Sequence, residues 1–66
     1  MSRKIEVMKL KTGMRIEMVD SELVVERVIK HGRFCKEIAL VGVPEYNPTG
    51  WKNWPVLDNH HLVTII

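Results

Sequence analysis

The chain has 66 residues, 45% of them apolar, with ten Lys/Arg against eight Asp/Glu for a formal charge of +2. That length fits one domain, residues 1–66, and the apolar fraction is large enough for a core, which argues against global disorder. A lone cysteine, Cys35, excludes an internal disulfide, and no apolar run reaches the roughly 18 residues of a membrane span. Residues 1–6 are charged where a signal peptide would be apolar, so a cytoplasmic protein is expected.

The first turn falls at residues 10–13, where Gly13 is free to take a positive φ. Met14, Ile16 and Met18 then alternate with Arg15 and Glu17, the period of a half-buried strand. Residues 20–22 read as a second turn. Residues 23–29 are rich in Val and Ile, whose β-branched side chains favour a strand. A helix over 21–30, capped by Ser21, is the alternative there, and the valines weigh against it.

His31-Gly32 reads as a tight hairpin turn, with residues 34–43 returning as the partner strand. If Lys30 faces Arg33, then Ile29 meets Phe34, Val25 meets Ile38 and Leu23 meets Leu40 on one face. Val24 meets Ala39 and Val28 meets Cys35 on the other. The same register opposes Glu26 with Glu37 and Arg27 with Lys36, which calls for a bulge or for splayed charges.

Residues 44–55 form a long loop, because Pro44, Pro48 and Pro55 forbid a central strand. A short strand at 56–57, a one-turn connector at 58–61 and a final strand at 62–66 complete the chain. The expected core is Ile16, Val25, Ile38, Leu40, Val56 and Val63.

Five short strands, with a long connection before the fourth and a one-turn connector before the fifth, resemble the SH3-like small β-barrel. The resemblance covers residues 10–66 and rests on spacing. It implies an all-β fold closed into a five-stranded barrel, with an OB-like barrel as the second choice. Within that class, Trp54-Pro55-Val56 followed by Leu62 also resembles the type II dihydrofolate reductases, whose tetramers form an active pore. Their Val-Gln-Ile-Tyr run is missing, with Lys52-Asn53-Trp54 in its place, so no catalytic residue carries over. The small, free-standing form is similar to regulators and inhibitors encoded by phages and mobile elements.

The search for chemistry returns little. Asp58, His60 and His61 suggest a metal, but adjacent strand histidines point to opposite faces and no paired ligand spacing accompanies them. Cys35 has no Cys-x-x-Cys partner and reads as an inward-facing small apolar residue. Asn47-Pro48-Thr49 is not a glycosylation acceptor, because proline occupies its middle position. Neither a catalytic set nor a cofactor or metal is expected.

The aromatics are the informative signal, since Tyr46, Trp51 and Trp54 share one loop. Trp54 adjoins the apolar Val56-Leu57 and is expected in the core. Tyr46, Trp51, Lys52 and Asn53 are the candidate partner-binding residues, with Trp51 as the anchor. The expected function is non-catalytic recognition of a protein partner. The alternative is nucleic-acid binding, with Lys9, Lys11, Arg15, Arg27, Lys30, Arg33 and Lys36 on phosphates and Trp51 stacking on a base.

Overall fold

A computed structural model describes residues 3–66. The strands are β1 (Arg3–Glu6), β2 (Arg15–Met18), β3 (Ser21–His31), β4 (Cys35–Leu40), β5 (Val56–Asp58) and β6 (Leu62–Ile65), with a 3-10 turn at Val7–Lys9. All pairings are antiparallel, in the order β1-β6-β2-β3-β4-β5, and no α-helix occurs among the described residues. The expected all-β class holds. Six strands stand where five were expected, however, and the ladder does not close, because β1 and β5 are left at its two ends.

The additional strand is β1, which pairs Ile5 with Val63 on β6. Its segment continues into the core. Val7 is fully buried and Leu10 nearly so, and the Val7 N–H donates to the His61 carbonyl at 2.9 Å. Ile16, Val25, Ile38, Leu40 and Val63 complete this cluster, as the sequence pattern predicts. Val56 does not join it. It is 39% exposed and lies opposite Glu37, on the face of the sheet away from the core cluster.

β3 is the long strand that joins the two halves of the sheet. Its first residues pair with β2, matching Ile16 to Leu23, and its later ones pair with β4. Between them the register shifts at Glu26, a bulge that bends the strand. The β3–β4 turn has three residues, Gly32, Arg33 and Phe34, so His31 pairs with Cys35 rather than Lys30 with Arg33. Glu26 therefore escapes Glu37, which now faces Ile29, and Arg27 faces Ala39. Lys30 and Lys36 do oppose each other, and the Lys36 ammonium is held at 2.9 Å by Asn59 Oδ1.

The β2–β3 turn is formed by Val19 and Asp20, both with left-handed backbone at φ 48° and 60°. Two such residues suit the right-handed twist of a hairpin, but a β-branched valine is strained there by about 1 kcal/mol or more. Val19 is also 93% exposed.

Candidate functional site

The 44–55 loop folds back on itself as a miniature hairpin. Tyr46 bridges Lys52, the Asn47 N–H donates to the Trp51 carbonyl at 2.9 Å, and the Asn53 N–H donates to the Glu45 carbonyl at 2.8 Å. At its tip the Asn47 side chain acts as a staple. Its Oδ1 accepts from the Thr49 N–H at 3.0 Å, the Thr49 hydroxyl at 2.6 Å and the Trp51 N–H at 3.0 Å. Gly50 closes the turn at φ 90°, a conformation that favours glycine.

Further contacts brace the hairpin and hold it to the body. The Trp54 indole N–H donates to the Val43 carbonyl at 2.7 Å, and its half-buried ring packs on the core. The Asn53 amide donates to the Pro44 carbonyl at 3.0 Å. Lys52 Nζ lies 2.7 Å from Glu37 Oε1 and 3.3 Å from Glu45 Oε2, with the Tyr46 ring 5.6 Å away. The hydrogen bond to Glu37, foremost among several contacts, holds the Lys52 ammonium above the usual lysine range.

Glu37 is 4% exposed, a buried carboxylate in the middle of β4. On this strand Ile38 and Leu40 enter the core, so Cys35, Glu37 and Ala39 share the opposite face. Half-buried Cys35 therefore points away from the core rather than into it. Sequence reasoning placed Glu37 only as a charge opposite Glu26, relieved by a bulge or by splaying, and missed its burial. The available signal was a lone acid directly before the apolar run Ile38-Ala39-Leu40.

The candidate residues thus separate into two kinds. Trp51 is 74% exposed and Tyr46 54% exposed, so both present apolar surface on a braced backbone. Lys52 and Asn53 bond within the chain and serve the loop itself. Beside the loop, Asn53 and Pro55 form one wall of a cleft of about 280 Å³. Met18, Val19, Ser21 and Leu23 form the other.

The basic residues are dispersed. Arg15 is paired with Glu22, Lys9 with Glu6 at 3.7 Å, and Lys36 is held by Asn59. Among the described residues Lys11, Arg27, Lys30 and Arg33 form no ion pair. Lys30 and Arg27 point to opposite faces of β3, since they lie three positions apart with no bulge between them.

His60 pairs through Nδ1 with Glu6, while its backbone N–H donates to Asp58 Oδ1 at 2.9 Å. The exchange raises the His60 imidazole above its ordinary range and lowers the Glu6 carboxyl. Among the described residues no three of His, Cys, Asp and Glu gather as a metal-binding set, and no helix is long and apolar enough to cross a membrane.

Fold and site together define a small all-β protein that carries a braced loop of exposed aromatics. No protein-family model matches the chain, and neither the curated proteins nor the solved structures give a significant match.

Proposed function

We propose that this protein is a non-catalytic binding module, a small regulator or inhibitor that contacts a protein partner through Trp51 and Tyr46. The observation that carries the reading is the 74% exposure of Trp51 on a loop stapled by Asn47 and anchored by Lys52 and Trp54. An indole this exposed gains little from burial in the free protein, and its braced backbone lowers the entropy cost of binding. The strand order supports an SH3-like reading of β2 to β6. These five strands run as a meander through the bent β3, and the last returns to pair with the first. On that reading β1 is an addition on the outer side of β6.

Nucleic-acid binding remains the second reading, favoured by Lys11, Arg27, Lys30 and Arg33, candidate phosphate contacts that form no ion pair among the described residues. Salt separates the two, because phosphate contacts weaken steeply as salt rises. The test captures partners on immobilised protein at low and high salt, comparing the parent with Trp51→Ala and Trp54→Ala. A protein held at both salt levels should lose about thirtyfold in affinity with Trp51→Ala, at unchanged melting temperature. Trp54→Ala should lower the melting temperature instead. Equal binding by Trp51→Ala, or its unfolding, would make the loop a structural cover only.

A further inference from the structure

We propose that the tip of the β3–β4 hairpin binds single-stranded nucleic acid, with Lys30, Arg33 and Lys36 on phosphates and Phe34 stacked on a base. This site deepens the nucleic-acid reading, on which it rests, and is separate from the Trp51 loop.

The tip carries a like-charged rung. Lys30 stands directly opposite Lys36, so two lysine stems leave neighbouring strands on one face, about 5 Å apart at Cβ. Such a pair repels in the free protein. Elsewhere Lys9, Arg15 and Lys52 each meet a carboxylate. Lys36 is held instead by the neutral Asn59 amide. Among the described residues neither it, Lys30 nor Arg33 forms an ion pair. An anion that reaches both ammoniums turns their repulsion into attraction.

The neighbouring acids do not cancel this charge. Glu37 and Asp58 lie on the other face of the sheet, in the rungs that hold Ile29 and Cys35. Glu37 is already bound by Lys52, and Glu6, at the end of β1, by His60 and Lys9. Arg27 stands on that other face too, opposite Ala39, so Lys30, Arg33 and Lys36 form a group of their own.

The tip is also held in place. From the connector after β5, the Asn59 backbone N–H donates to the Phe34 carbonyl at 2.7 Å, while its Oδ1 accepts from the Lys36 ammonium at 2.9 Å. Phe34 itself is 67% exposed, a ring bare to water on a braced turn. Any base can stack on such a ring, and cations beside it follow the backbone that carries the base. An acidic peptide would engage the cations and leave the ring unused. A duplex hides its base faces in its own stack, so the strand that uses Phe34 is single.

The test is the fluorescence anisotropy of a labelled oligothymidylate of about ten nucleotides, titrated with the whole chain from about 20 mM to about 200 mM salt. With three phosphate contacts, affinity should fall with salt at a log–log slope of about −2. Lys30→Gln and Arg33→Gln should each bring the slope to about −1.4. Lys30→Gln should do so without lowering the melting temperature, since it relieves a repulsion. Phe34→Ser should weaken the single strand at least about fivefold at the parent's slope, and leave a duplex of the same length unchanged. Trp51→Ala should alter neither, and an oligoglutamate of equal charge should not compete at equal concentration. No binding at the lowest salt overturns this site and the nucleic-acid reading together. Binding that Trp51→Ala weakens and the three tip variants leave alone overturns the site while that reading stands. Competition by oligoglutamate, or an equal loss of duplex binding in Phe34→Ser, overturns the assignment to a single strand.

Discussion

On one face of β4, Ile38 and Leu40 lie in the main core with Ile16, Val25 and Val63; on the other, Glu37 and Ala39 are also buried, but outside that cluster. The first face is closed by apolar packing, which has no direction and involves many neighbours. At Glu37 the second face is closed by an ion pair from the 44–53 loop, and this depends on one ammonium placed between two carboxylates. Glu37 Oε2, likewise buried, accepts no hydrogen bond from the chain. Burial alone therefore misstates what holds the loop. Trp54 ties the end of the loop to the core, but the tip is placed by a directional pair, so the tip can be released without dismantling the core.

The largest effect should come from the core face. Ile38 is fully buried, so Ile38→Ala should cost about 2–5 kcal/mol, lowering the melting temperature by about 10 °C or more. A shift of only a degree or two in thermal unfolding would show that the core does not depend on this residue. Lys52→Met should cost less, because the core stays intact, yet it strands the Glu37 carboxylate. The double variant Lys52→Met/Glu37→Leu should recover most of that loss, since an apolar pair needs no counter-charge. Amide exchange should separate the variants. Lys52→Met should speed exchange at Asn47 and Asn53 while leaving β2 and β3 slow. Uniformly faster exchange would mean that loop and core open as one unit.

The same contrast explains how much could be read in advance. Met14 to Met18 was legible because its alternation is local, and Ile16, Val25, Ile38, Leu40 and Val63 followed from such patterns. β1 was not legible. Arg3–Glu6 holds a single apolar residue, Ile5, and its partner β6 lies at the other end of the chain. The β3–β4 register turned on whether the loop held two residues or three. Sequence favoured two because Gly32 follows His31, and the three-residue turn instead took Phe34 out of the strand. Val56 was misplaced because an edge strand of three residues gives no periodicity to separate its faces. At the loop, the clustered aromatics and the contrast between an exposed Trp51 and a core-packed Trp54 were visible. The Asn47 staple was not, although an Asn-Pro-Thr-Gly run is a turn signal in which the amide oxygen caps nearby N–H groups.

The smallest effect belongs to the exposed pair Glu6–His60, which ties the end of β1 to the connector between β5 and β6. Hydrogen bonding to Glu6 raises the His60 pKa above its ordinary 6.5, so its contribution is complete below 6.5 and fades as pH climbs through the raised value. The bond to His60, outweighing the opposing effect of burial, lowers the Glu6 pKa below 4.5. Its contribution is complete above 4.5 and fades as pH falls through the lowered value. The pair is therefore fully formed between pH 4.5 and 6.5 and loosens on either side. Thermal unfolding followed across this range should show a shallow decline in melting temperature above the upper limit. His60→Gln, which cannot titrate, should flatten that decline. A parent and a His60→Gln variant that decline in parallel would place the pH sensitivity elsewhere, with His31 or His61 as the groups to replace next.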